Sequence, residues 1–121
     1  MAGFVGREAL GKGKLRRAEI DAPEFGGVVC VRELNGAEIA IVRQVAAGSV
    51  KDGTPDPEAV GNFERSLVER GWIDGEGNRV LGDGEGELLR QESARLVNLM
   101  ATKIAELSGL NASATADAKK N

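Results

Sequence analysis

The spacing of apolar positions changes several times along the chain, and each change marks an element. Residues 14–21 set Leu15, Ala18 and Ile20 among charged neighbours and residues 28–34 open on the largely β-branched run Val28-Val29-Cys30-Val31, on either side of Ala-Pro-Glu-Phe-Gly-Gly at 22–27, which predicts a β-hairpin. At Asn35 the period lengthens. Asn35 can cap a helix whose third position is Glu38, a variant of the capping box, and Ile39, Val42, Val45 and Ala46 then share one side as far as Gly48. Residues 49–55 read as a polar loop. Asp56-Pro57 sets an N-cap before a proline at the first helical position, and Val60, Phe63 and Leu67 follow at helical spacing. Gly71 suits a helix C-terminus because glycine reaches positive φ without a Cβ clash, and Trp72-Ile73 after it looks extended. Residues 74–78 (DGEGN) turn the chain back into 79–81 as a second small hairpin. A short helix around 85–90 leads to Ser93, the cap of the longest amphipathic segment. Leu96, Leu99, Met100, Ile104 and Leu107 form its apolar face, and Ser108-Gly109 stops it.

The two ends lack such a pattern. Residues 6–15 (GREALGKGKL) allow one short helical turn at most, with three glycines in the first eight positions, and residues 111–121 (NASATADAKKN) hold nothing able to anchor them to a core. The expected organisation is a flexible arm at 1–13, a single α+β domain at 14–110 and a disordered C-terminal tail at 111–121. Its fold class is α+β, mostly α-helical with a small N-terminal β-hairpin.

Composition narrows the function. A chain of 121 residues matches one domain burying roughly two-thirds of its extended surface. With 41% hydrophobic but only 3% aromatic residues, its core must be built from Val, Leu, Ile and Ala. Sixteen basic against nineteen acidic residues, with no long basic stripe, argue against nucleic acid as a partner. Cys30 is the only thiol, so neither an internal disulfide nor a cysteine zinc site is available, and a reducing compartment fits best. The first ten residues lack a basic start followed by an apolar run, and nowhere do about eighteen apolar residues follow one another, so neither secretion nor membrane insertion is expected.

Motifs that suggest chemistry fail on inspection. Residues 6–13 have the Gly and Lys12 spacing of a phosphate-binding loop, but Gly13 stands where the magnesium-binding hydroxyl belongs and no buried strand precedes it. Asp74, Glu76 and Asn78 alternate like calcium ligands, yet Arg79 replaces the glycine that loop requires, and a hairpin turn explains the same residues. With no histidine or tyrosine, a general base near neutral pH would need a carboxylate or lysine strongly shifted by burial. No catalytic, cofactor-binding or metal-binding residue is assigned. Cys30, between Val29 and Val31, reads as a packed structural thiol. Trp72 either covers the core or anchors a partner, and Arg32 and Glu33 read as a solvated or locally paired couple at a sheet edge.

The run at 21–38, Asp-Ala-Pro-Glu-Phe-Gly-Gly-Val-Val-Cys-Val-Arg-Glu-Leu-Asn-Gly-Ala-Glu, resembles the opening of tail assembly chaperones from long-tailed, siphovirus-type phages and prophages. In that family an acidic residue, an aromatic and two glycines precede a strand ending in Val-Arg-Glu-Leu, then a polar residue, Gly, Ala and Glu. Residues 74–81 and 87–93 resemble two further blocks in order, and the pattern closes on Leu96, Leu99, Leu107, Gly109, Leu110 and Asn111. Departures are Cys30 in place of an aromatic, Ile39 in place of a polar residue, and the glycine-containing loop before Asp56.

The resemblance implies a protein that acts by binding and not by catalysis. It would work in the host cytoplasm, coat the tape measure protein and keep it soluble until tail tube protein polymerises around it, and be absent from the mature virion. A long amphipathic helix exposes an apolar stripe that aggregates until covered. The candidate covering surface is Val97 and Met100 on the last helix with Trp72 and Ile73 beside them. A frameshifted longer form is also implied, because the codons of Lys119-Lys120-Asn121 can form a slippery heptamer, and the same apolar surface could serve a homo-oligomer. Alternatives are another small phage component, of tail terminator or head-tail connector type, and an enzyme or nucleotide-binding protein using Lys12 and the glycine arm.

Overall fold

The alternating segments form the expected hairpin. Strand β1 (Arg17–Ala22) runs antiparallel to β2 (Gly27–Arg32), with Arg17 opposite Arg32 and Ala22 opposite Gly27. A single 3-10 turn, Pro23–Phe25, joins them and is closed by Gly26 at φ 76°. Ala22, Val29 and Val31 are buried. The structure is a computed structural model that describes residues 3–4, 6–11, 13–47, 50–51, 54–55 and 57–110. The tail at 111–121, Lys12, the helix end at Gly48 and the cap at Asp56 lie outside the described residues.

The switch from strand to helix is built from one carboxylate. Helix α1 (Gly36–Ala47) begins with a reciprocal cap: Asn35 Oδ1 accepts the Glu38 N–H at 2.9 Å, and Glu38 Oε1 accepts the Asn35 N–H at 3.0 Å. Arg32, the last residue of β2, donates both guanidinium arms to the same Glu38 carboxylate, each at 2.8 Å. Burial pushes the Glu38 carboxyl up, but the hydrogen bonds from Arg32 and the Asn35 N–H outweigh it and hold it below its ordinary value. The Arg32 guanidinium is held above its usual value by the same hydrogen bond. Glu33 accepts the Arg16 N–H at 2.7 Å. Arg32 and Glu33 are therefore paired, and the pairs close the open end of the hairpin.

Two short strands, β3 (Val50–Lys51) and β4 (Thr54–Pro55), pair antiparallel where a polar loop is expected. The signal was Asp52-Gly53 between them, a dipeptide that favours two-residue hairpins.

Helix α2 (Pro57–Gly71) is the centre of the molecule. It packs on α1, on β2, on a 3-10 segment (Glu85–Gln91) and on α3 (Ala94–Leu107), so four consecutive residues, Ser66 to Glu69, are buried. The segment expected as a short helix at 85–90 is this 3-10 turn. Helix α3 has the expected cap, with Ser93 Oγ accepting the Leu96 N–H at 3.3 Å.

Gly71 ends α2 as expected but for a different reason. The described glycines at positive φ are Gly11, Gly26, Gly77, Gly84 and Gly109, and Gly71 is not among them. A Cβ on Gly71 would stand 2.5 Å from Ile104 Cδ1 and 2.7 Å from its Cγ1. Glycine is required so that the end of α2 can lie against α3. The chain then enters β5 (Trp72–Ile73), which adds to β2 with Val31 opposite Trp72 and Cys30 opposite Ile73. The sheet is thus three-stranded, in the order β1-β2-β5, and extends the hairpin expected from sequence. The second hairpin reduces to one bridge between Ile73 and Arg79. Its turn is fastened by Asp74, whose Oδ1 accepts the N–H of Asn78 at 3.0 Å and of Glu76 at 2.9 Å; the Asn78 bond is the main reason its carboxyl is held low.

Gly71→Ala should destabilise the protein by about 2 kcal/mol through overpacking, although alanine is the better helix former. Urea unfolding is the measurement, and Ile104→Val in the same chain should recover part of the loss. Glu38→Gln should cost about 2 kcal/mol near neutral pH, because it weakens charge-assisted hydrogen bonds to Arg32. The folded carboxyl has the lower pKa, so its contribution is complete above the unfolded value of about 4.3 and is lost as pH falls through the folded value. The wild-type and Glu38→Gln unfolding midpoints should therefore converge in acid.

Candidate partner-binding surfaces

Of the four residues expected to form a covering surface, three lie in the interior. Ile73 and Met100 are 1% exposed and Val97 is 8% exposed; Trp72 alone is half-buried. The expectation of surplus apolar surface on α3 at Val97 and Met100 is corrected. Helix α3 meets α2 along one flank and the sheet along another, so its buried arc widens to take in Val97, Ala101 and Ala105. Leu99, expected on the inner face, is exposed instead.

The apolar surface left open lies between α2 and α3. Val60, Phe63 and Leu67 from α2 face Ala101 and Ala105 from α3, with Leu110 at one end, around a cleft of about 380 Å³. Helical spacing explains the set: 60, 63 and 67 form one stripe on α2, and 101 and 105 one stripe on α3. Val60 and Thr102 are exposed at its lips. Glu64, also on the lip, accepts a hydrogen bond from Asn98 Nδ2 at 2.6 Å and ties the two helices together.

A second cleft of about 380 Å³ opens on the sheet. Phe25 stacks on Trp72 with ring centroids 5.8 Å apart and planes 8° from parallel, and Val28, Cys30 and Val80 continue the apolar lining. Trp72 touches the core on one side, as one of the two expectations had it, and borders an open cleft on the other. Cys30 is half-buried in this cleft and not packed within the core. The turn carrying Phe25 is pinned from α3: Glu24 accepts two bonds from Arg95 Nη2, at 2.8 and 2.7 Å, and one from Ser93 Oγ at 3.0 Å. A hydrogen bond from its own backbone N–H, then those from Arg95 and Ser93, hold the Glu24 carboxyl below its usual value despite burial.

Several charged side chains beside α2 are paired within the molecule. Glu69, buried in α2, accepts the Gly86 N–H at 2.7 Å with Oε1 and Arg70 Nη1 at 3.0 Å with Oε2. These bonds dock the 3-10 segment on α2, a role that no sequence pattern marks, since Glu69 sits in an ordinary charged stretch. Arg90 bridges Glu58 and Glu87 in the same region. The basic space bounded by Lys14, Arg17, Arg32 and Gly77 holds Arg32 already committed to Glu38. Among the described residues, no three His, Cys, Asp or Glu are placed to share a metal ion, and no helix is long and apolar enough to cross a membrane.

No protein-family model matches the sequence, and no curated protein matches it either. Among solved structures, the chain is similar to the tail assembly chaperone of bacteriophage HK97, with 18% identity, over 83% of this chain and 94% of that chain, at a TM-score of 0.64. The α+β architecture built here from a capped hairpin, three helices and a third strand is therefore the fold seen in the HK97 tail assembly chaperone.

Proposed function

We propose that this chain is a tail assembly chaperone that binds the tape measure protein of its phage and keeps it soluble while the tail is built. The shared fold with the HK97 protein carries the reading. The open apolar groove between α2 and α3 supports it, because the α3 stripe is made of small residues, Ala101 and Ala105, and leaves room for a third helix to lie against it and the α2 stripe. A tape measure helix presents its own apolar stripe at the same spacing. Covering it removes that stripe from water without any bond being made or broken. On this reading the protein works in the host cytoplasm, leaves before tail tube protein closes round the rod, and has a longer frameshifted form that shares its groove.

Co-expression with the long helical protein encoded beside it tests the proposal. A soluble complex that forms only when both are present is expected, whereas recovery of this chain in purified virions would assign it to a terminator or connector. Val60→Glu with Thr102→Glu places charges on two exposed lips of the groove. It should weaken the complex about tenfold or more, at least about 1.4 kcal/mol, while the melting temperature stays near that of the wild type.

A further inference from the structure

Helix α1 has the composition of a helix covered on both sides, yet the fold covers one. Ala, Ile and Val fill eight of its twelve positions, and among its polar residues Glu38 is committed to the cap and to Arg32. A helix that is apolar nearly all round belongs in an interior. Here Val42 is its one buried residue, Ile39 is half-buried against the core, and Ala37, Ala40, Ile41 and Ala47 are exposed. Ala37, Ile41 and Val45 stand four residues apart and so form one row along the outer flank.

That row leads into a cleft of about 370 Å³ between α1, α2 and the 3-10 segment, with Ile41 and Val45 as its apolar wall. Asn62, Arg65, Ser66 and Glu69 of α2 supply the polar wall. At 3.6 residues per turn they lie on the side of α2 away from Val60, Phe63 and Leu67. The cleft and the groove against α3 share no lining residue.

The charges around the cleft are unevenly matched. Glu69 is taken up by the Gly86 N–H and Arg70, and Glu87 by Arg90. The Arg65 side chain is only 15% exposed, and its Nε is buried with no hydrogen-bond partner among the described residues. Its ion pair with Glu58 is stretched to 3.8 Å, and the same Glu58 oxygen also bonds Arg90. The near acceptor of Arg65 is a neutral one, Asn62 Oδ1. A guanidinium withdrawn from water without a close carboxylate is destabilising, and a carboxylate brought to it forms charge-assisted hydrogen bonds.

We infer that this cleft is a second docking site, which takes an acidic amphipathic helix of a partner. An apolar side chain of that helix packs on Ile41 and Val45, and a glutamate or aspartate one turn along meets Arg65. Ala37, at the open end of the row, lets the partner backbone come close. The site stands apart from the tape measure reading, because it uses the opposite side of α2.

Two fluorescein-labelled helical peptides of about 20 residues test the inference. Both carry the same leucine stripe, flanked by glutamates in one and by lysines in the other, and binding to the full chain is followed by fluorescence anisotropy. The glutamate peptide should bind at least about tenfold more tightly, and added salt should narrow the difference. Ile41→Glu, at a position 41% exposed, should weaken the glutamate peptide about tenfold while the melting temperature stays near that of the wild type. Arg65→Gln should remove the preference for glutamate over lysine, and Val60→Glu with Thr102→Glu should leave that preference intact. Equal affinity for the two peptides, no binding of either, or binding indifferent to Ile41→Glu would each overturn the inference. Loss of the glutamate peptide in the Val60→Glu, Thr102→Glu chain would also overturn it, by placing the peptide in the α2–α3 groove.

Discussion

The rest of the fold depends on how closely α2 approaches α3 at Gly71. Because nothing projects from that residue, Ile104 fills the space where a side chain would stand, and the two helices meet at the point where α2 ends. The backbone emerging from this contact is delivered to the edge of β2. Trp72 and Ile73 then pair with β2 as a third strand, and the turn fastened by Asp74 follows. Moving α2 outward by even the radius of a methyl group would shift the strand that closes the sheet, the tryptophan that borders its cleft, and the groove between the helices together. Interiors packed to crystal density transmit such displacements and do not absorb them.

What was legible in the sequence was local. The hairpin, the Asn35–Glu38 cap, the Ser93 cap and the three helices all rest on residues within a few positions of one another, where short-range sterics and hydrogen bonding decide the conformation. What was not legible depended on distant partners. Strand β5 is two residues long and becomes a strand only because β2, some forty positions earlier, offers an open edge. Gly71 was placed correctly for a reason belonging to another helix. Glu69 is buried because the 3-10 segment brings Gly86 to it, and neither residue predicts the other.

The candidate site illustrates the same limit. A helical stripe at 96, 100, 104 and 107 names one buried face, and everything outside it is then read as surface. Helix α3 has two neighbours at an angle to each other, so its buried arc is wider than one stripe and takes in Val97. Apolar surface was displaced from that helix to the groove it forms with α2. Strand β1 shows the converse: its outward residues Arg17, Glu19 and Asp21 are exposed and charged, which discourages pairing along a free sheet edge.

The stack of Phe25 on Trp72 has an optical consequence. The chain holds one tryptophan and no tyrosine, so its near-ultraviolet absorption above the phenylalanine bands and its intrinsic emission both come from a single indole. That indole borders the sheet cleft while its other side touches the core. The molecule therefore carries a built-in chromophore whose colour and quenching report hydration at one defined place, without any attached dye.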